Sequence, residues 1–213
     1  MPTVTRAHLK ESEFINIEGL FYSYKGLEVF RNFSLLSTSK TIVLRGPSGC
    51  GKTTLLKLLS GNLAVDSVIA IPENRSSCLV LQEDSLFPWL TGLENISIIT
   101  RLKPAQFRNH PMFELIAGFV HQKACRMSYG QRRLVELFRA IVFRPRYLYL
   151  DEPFNFLDEN RIGLVSPFLQ GEFMDGINLT MSSHHHEDLA QMDNANVFRF
   201  DGLFPVTRLQ QIS

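Results

Sequence analysis

Cysteine is scarce. Three thiols, Cys50, Cys78 and Cys125, stand in 213 residues, an odd number with no paired spacing. That argues against a disulfide framework and for a reducing compartment. An excess of one charge is lacking as well. The formal net charge is +1, so no bulk field draws the chain to nucleic acid, and none is expected as a partner. No stretch reaches the roughly 18 consecutive apolar residues of a membrane-crossing helix. The stretch MPTVTRAHLKESEF carries charge where a secretion signal would carry an apolar core. Repeats and low-complexity tracts are absent. These absences predict a soluble cytosolic protein, any membrane role falling to another subunit.

What is present suffices for a core. Apolar residues make up 45% and charged residues 20%, which suits one compact domain with room for a small insert. Residues 14–45 alternate apolar stretches with turn signals and predict a small antiparallel sheet leading into a buried strand at 41–45. KTTLLKLLSG puts Leu55, Leu56, Leu58 and Leu59 at helical spacing, with Gly61 as the stop. SCLVLQ (77–82) is another buried strand. From about 83 to 127 the texture becomes helical, with three prolines and no convincing strand. YGQRRLVELFRAIVF predicts a helix with Leu134, Leu137, Phe138 and Ile141 on one face. RYLYLDEP and NLTMSSHHH predict strands ending in carboxylates and in histidines, and NVFRFDGLFPV a final hairpin. The order predicts a mostly parallel α/β sheet with its binding loops at the carboxyl ends of the strands.

Behind the strand at 41–45 stands GPSGCGKTT, whose Gly46, Gly51, Lys52 and Thr53 match G-x-x-x-x-G-K-T. Glycines let successive backbone N–H groups turn inward, and the helix beginning near Lys52 adds its positive end. Pro47, Ser48, Gly49, Cys50 and Thr54 complete the cradle. Lys52 is placed to reach β- and γ-phosphates, and the Thr53 hydroxyl to bind Mg²⁺. A phosphate loop needs a second metal-holding carboxylate at a neighbouring strand end. YLYLDE supplies it as Asp151, and Glu152 stands one residue beyond, able to take a proton from an attacking water.

MSYGQ (127–131), at the start of the RRLVELFRAI helix, looks like the signature LSGGQ, and together with the phosphate loop and acidic pair it makes the chain resemble the ATP-binding subunits of ABC transporters. The resemblance covers nearly all of the sequence. It implies a P-loop NTPase fold: a mostly parallel core sheet, an N-terminal antiparallel β subdomain and an inserted α-helical subdomain. Core and β subdomain would occupy about 14–82 and 132–213, and the insert about 83–131, ending in the signature.

The same resemblance implies that two copies face each other head to tail, each ATP lying between the phosphate loop of one and the signature of the other. Ser128 and Gly130, with Tyr129 and Gln131 beside them, would then meet the γ-phosphate across the interface. Gln82 matches the glutamine that contacts Mg²⁺ and reports nucleotide state. Tyr24 matches the aromatic that stacks on adenine, with Tyr22 a nearby competitor. FNFLD places Asp158 where the family's loop crosses to the opposite subunit. Counting back from Glu187 and Asp188, His184 is the best fit to the family's switch histidine, with the adjacent His185 the other candidate. Three successive histidines could also suggest a metal site, but side chains at i, i+1 and i+2 diverge.

Some positions depart from the pattern. Tyr129 replaces a glycine, so its ring must point away from the nucleotide or crowd it. Cys50 stands where serine is common, and Leu134 replaces a frequent arginine. Just after Gln82, Leu86, Phe87, Trp89 and Leu90 form an apolar segment of the kind that receives a helix from a transmembrane partner. The wording of 85–96 looks like the ATPases of nitrate, sulfonate and taurine importers. The expectation is therefore an ATPase subunit, with ATP and Mg²⁺ as cofactors, dimerising on ATP and driving a separate permease docked near 82–96 at the cytoplasmic face of the membrane. Two alternatives stand beside it: a soluble ABC-type ATPase of DNA repair or translation, and a regulatory module that has lost hydrolysis.

Overall fold

A computed structural model describes residues 14–64, 69–70, 76–183, 195–202 and 204–212. Strands β1 (Ile15–Tyr24) and β2 (Leu27–Ser37) pair antiparallel from Ile15↔Ser37 to Tyr24↔Leu27. Lys25 and Gly26, both at positive φ, make the two-residue turn whose twist matches that of the strands. A short β4 (Ile69–Ala70) adds on the far side of β1. The second sheet has the order β5-β6-β7-β3-β8-β9. Its members are β3 (Thr41–Arg45), β5 (Ser77–Val80), β6 (Tyr147–Leu150), β7 (Asn178–Ser183), β8 (Asn196–Arg199) and β9 (Gln210–Gln211). The first five run parallel and β9 antiparallel. The carboxyl ends of β3, β5, β6 and β7 therefore share one edge, where α/β sheets place their ligands.

Strand periodicity divides the core into two layers. On β3, Val43 packs with one cluster while Ile42 and Leu44 pack with the other. On β6, Leu148 and Leu150 face the first and Tyr147 and Tyr149 the second. Successive side chains point to opposite faces, so a strand buried on both sides reads as a continuous apolar run. The antiparallel sheet and α1 (Lys52–Leu59) cover one face. Helix α1 buries all four of its leucines. It stops where Gly61, at φ 77, bonds back to Leu58 and Asn62 to Lys57, the paired closing bonds of a left-handed cap.

The other face carries the segment between β5 and β6: α2 (Gly92–Thr100), α3 (Pro104–Phe107), short 3₁₀ turns at Pro111–Leu115 and Ala124–Arg126, and α4 (Tyr129–Phe143). Helix α2 opens on a capping box in which Thr91 and Glu94 satisfy each other's backbone N–H. Helix α4 buries Leu134, Leu137, Phe138 and Ile141 against Phe107, Phe113, Ile116 and Leu148. Two features differ from the sequence reading. The crossover from β6 to β7 contains a helix, α5 (Glu159–Val165), that apolar spacing did not announce. The closing hairpin is longer than NVFRFDGLFPV: Val206 bridges Phe30 of β2, and the strand that pairs with β8 lies at Gln210–Gln211. Among the described residues no helix is long and apolar enough to cross a membrane.

Candidate functional site

The loop from Gly46 to Gly51 links β3 to α1 and contains three glycines at positive φ: Gly46 (147), Gly49 (79) and Gly51 (106). At Gly46 a Cβ would come within 2.8 Å of Phe200 Cβ and 2.9 Å of Cys50 Sγ, so close packing under the loop demands glycine there. Lys52 is buried, and its ammonium donates to the carbonyls of Gly46 (2.8 Å) and Pro47 (3.1 Å). The lysine thus sits inside the curl of the loop, 3.6 Å from the Glu152 carboxylate. Thr53, one residue on, donates from Oγ1 to Asp151 Oδ2 at 2.6 Å. Residues 98 positions apart meet because β3 and β6 flank β7 and end at the same edge.

The acidic pair is fixed from two sides. Ser182 on β7, fully buried, donates to Asp151 Oδ1 (2.6 Å) and accepts from the Glu152 amide (2.9 Å). Glu152 adopts φ 48, a left-handed conformation uncommon for a residue with a Cβ. Its carbonyl, with those of Asp151 and Pro153, accepts from the guanidinium of Arg133 on α4. Cys50 is buried, and desolvation pushes its thiol up despite the nearby Lys52 charge, which disfavours the nucleophilic thiolate.

A 190 Å³ pocket beside the loop is lined by Tyr24, Leu27, Val29, Gly49, Gly51, Lys52, Thr53, Thr54 and Phe204. Tyr24 is 46% exposed, whereas Tyr22 packs against the core. The structure thus brings Tyr24, not its competitor, to the loop. Phe204 was missed from the sequence; an aromatic in an irregular tail carries no periodic signal.

Ser128 caps α4, accepting from the Gln131 amide at 3.2 Å, while Gln131 Oε1 accepts from the Ser128 amide at 2.9 Å. Gly130 lies against the segment after the acidic pair, where a Cβ would be 2.8 Å from Phe156 O and 2.9 Å from Arg161 Nη1. The Tyr129 ring turns onto Phe156 (centroids 5.4 Å apart), with the Arg132 guanidinium 4.4 Å from its centroid. Tyr129 is 61% exposed and Phe156 57%. Asp158 caps α5, accepting from the Arg161 amide at 2.9 Å. None of Ser128, Tyr129, Gly130, Gln131 or Asp158 lines the pocket by the phosphate loop. Gln82 lies apart from that pocket as well. It lines a 470 Å³ groove with Glu83, Asp84, Tyr129, Arg132, Arg133, Glu136 and Phe156.

The apolar segment after Gln82 divides its labour. Leu86 enters the core, Phe87 and Leu90 are half-buried, and Trp89 is 64% exposed and leans on Phe87 at 5.6 Å. Buried Asn95 staples the loop, donating to the carbonyls of Phe87, Leu90 and Thr91 and accepting from the Phe87 amide. His184 and His185 lie outside the described residues.

Chemically, the edge of the sheet presents an ammonium, a hydroxyl–carboxylate pair and a second carboxylate beside a glycine-rich turn. Ser182 and Arg133 escaped the sequence reading, although Arg133 had a signal. It precedes Leu137 by four and so shares the apolar face of α4, where a charge must be paired.

The ABC transporter family model matches residues 31–155. The chain is 33% identical over 159 residues to the taurine import ATP-binding protein TauB of Yersinia pestis bv. Antiqua, covering 68% of this chain and 62% of that protein. It is 30% identical over 219 residues to the spermidine/putrescine import ATP-binding protein PotA of Aliivibrio fischeri, covering 94% and 59%. The chain thus spans about six tenths of the length of these curated relatives. Its fold is that of the dimeric structure of MJ0796, a bacterial ABC transporter cassette, with a TM-score of 0.74 at 20% identity over 94% of this chain and 99% of that one. With its phosphate loop, acidic strand end and capped MSYGQ helix in one framework, the chain belongs to the ABC transporter family.

Proposed function

We propose that the chain binds ATP at the Gly46–Thr54 loop, hydrolyses it with Glu152 as the proton acceptor, and drives solute import through a separate permease. The observation that carries this reading is the convergence of Lys52, Thr53, Asp151 and Glu152 within hydrogen-bond or ion-pair reach at one sheet edge. The loop amides and Lys52 would hold the phosphates, and the wall made by Tyr24 and Phe204 would take the base.

Mg²⁺ fits this donor set. Thr53 Oγ1 and Asp151 Oδ2 are two hard oxygens 2.6 Å apart, and among the described residues no cluster of three His, Cys, Asp or Glu could cage a metal alone. That is the pattern of an ion shared between a few protein oxygens and phosphate oxygens. When bound, the ion would neutralise charge building on the phosphates. Glu152, held by Ser182 and the Arg133 guanidinium, would take the water's proton, with His184 assisting. Gln82 would be a further ligand only if the groove it lines closes towards Asp151.

Among the described residues Ser128 caps α4 and Gly130 packs on the turn at Phe156, away from the phosphate-loop pocket, which supports the reading that they meet ATP held by a second copy, with Asp158 near the crossing. TauB and PotA are named import ATP-binding proteins, which supports an importer. The exposed Trp89 and the segment 82–96 would receive the permease at the cytoplasmic face of the membrane. The residues from about 83 to 131 would then move as an insert against a core of about 14–82 and 132–213.

ATP turnover by the purified chain tests this, set against a Glu152→Gln variant. The reading expects steady hydrolysis by the wild type and at least about a hundredfold less in the variant, which should retain ATP and elute as a dimer. Equal rates in the two would refute it.

A further inference from the structure

Arg133 has a use for every one of its donors. An arginine has five N–H bonds in a plane. Here Nε donates to Pro153 O (2.9 Å), and Nη1 to Leu81 O (2.7 Å) and Glu136 Oε2 (3.3 Å). Nη2 donates to Asp151 O (2.8 Å) and Glu152 O (2.8 Å). The side chain is 2% exposed, so no water substitutes for a missing partner.

These acceptors come from separate pieces of the site. Three are successive carbonyls of the acidic turn, one is the residue just before Gln82, and one is a carboxylate on the same helix. Glu136 extends the contact, because its Oε1 accepts both the amide (2.6 Å) and the hydroxyl (2.7 Å) of Ser85. Arg139, one turn on from Glu136, donates to the same hydroxyl at 2.6 Å. One face of α4 therefore grips the ends of β5 and β6 together, starting two residues beyond the Ser128–Gln131 cap.

We infer that Arg133 is a positioning residue for hydrolysis: its guanidinium holds the backbone turn that presents Glu152 and locks that turn to the Gln82 segment and to the MSYGQ helix. This rests on the ATPase reading above. The mechanical reasoning is short. Glu152 sits at φ 48, a conformation that persists only where its surroundings over-determine it. Ser182 holds the amide side of that residue and Arg133 the carbonyl side. Three carbonyls crowding one point repel each other unless a delocalised cation sits among them. A shift of α4 or of residues 81–85 therefore moves the carboxylate too, which gives nucleotide contact at the helix cap and partner contact beyond Gln82 a common lever.

Lysine has three donors and no fork, so Arg133→Lys keeps the charge but leaves at least two of the five acceptors without a donor. The experiment compares wild type with Arg133→Lys on three readouts: affinity for a fluorescent ATP analogue, single-turnover ATP hydrolysis, and amide hydrogen exchange by residue in nucleotide-free protein. Hydrolysis should fall at least tenfold while affinity changes less than about threefold. Exchange should quicken at Ser85, Asp151, Glu152 and Asn155 but not across α1 and β3. Equal losses of affinity and hydrolysis, unchanged hydrolysis, or uniformly faster exchange would each overturn the inference. If Arg133→Lys does not fold, Glu136→Gln serves: it keeps the shape, weakens the grip on Ser85, and should give a smaller, two- to fivefold loss of hydrolysis with the same exchange pattern. Unaltered hydrolysis and exchange in that variant count against the inference. A wild type that turned over no ATP would sink the ATPase reading itself. Exchange alone would then judge the grip, site-limited loosening supporting it and uniform loosening overturning it.

Discussion

Replacing Ser182 by alanine removes one hydroxyl that does two things at the centre of the site. It donates to Asp151 Oδ1 at 2.6 Å and accepts from the Glu152 amide at 2.9 Å, with no solvent access. A hydrogen bond to a charged acceptor contributes about 1.5–3 kcal/mol, and a buried amide left without an acceptor costs about 1–3 kcal/mol. Asp151 keeps its bond from Thr53, so the losses overlap, and Ser182→Ala should destabilise the chain by about 3 kcal/mol. For a domain of this length each kcal/mol lowers Tm by about 2–4 °C, a drop of roughly 6–12 °C. Urea unfolding followed by circular dichroism measures it. Combined with Asp151→Ala, the same substitution should cost at least about 1 kcal/mol less than it does alone, because half of its partner set is already gone. A loss under about 0.5 kcal/mol, or strict additivity, would show that Ser182 does not hold the acidic pair.

Three further outcomes are expected. Gly130→Ala places a methyl 2.8 Å from Phe156 O and 2.9 Å from Arg161 Nη1; overpacking of this kind costs about 1–3 kcal/mol and should outweigh the roughly 1 kcal/mol gained in helix propensity, so a rise in Tm would contradict it. In the native chain a thiol reagent at neutral pH should label exposed Cys125 first and leave Cys50 untouched, since burial pushes that thiol up; mass mapping that finds Cys50 labelled early would refute this. Burial, with the Arg144 charge nearby, holds the His110 imidazole below its ordinary value. The unfolded chain therefore binds more protons as pH falls below about 6.5, and stability should decline until folded His110 itself protonates. His110→Asn, which can still cap the turn at Pro111–Leu115, should flatten the change in urea midpoint between pH 7.5 and pH 5.5, and an unaltered slope would count against it.

Much of the fold was legible because its signals are local. Val43 and Leu44 read as a buried strand from apolar continuity, and α4 from the helical period of Leu134, Leu137, Phe138 and Ile141. Helix α5 was not, because its one buried residue, Val165, leaves no periodic face to read. The extent of the closing hairpin was misread for a different reason: Val206 pairs with Phe30, 176 positions upstream (206 minus 30), a long-range choice that local propensity does not specify. Within the site, the meeting of Thr53 and Asp151 follows from the motif and the sheet order together. The supports behind it were hidden. Ser182 looks like any strand serine until the adjacent strand shows what faces it, and the five acceptors of Arg133 are mostly backbone carbonyls, which leave no mark in a sequence. Tyr129 was legible as a departure, but its stacking on Phe156 needed the turn after Glu152 to bring the second ring across.

If the phosphate loop and the MSYGQ segment of one chain serve different nucleotides, as proposed, turnover needs two copies. Steady-state ATP hydrolysis per mole of chain, measured at saturating MgATP from nanomolar to tens of micromolar protein, tests it directly. The rate per chain should climb with concentration and level off as dimers fill. A rate that stays flat down to dilutions where light scattering finds monomers alone would contradict the account.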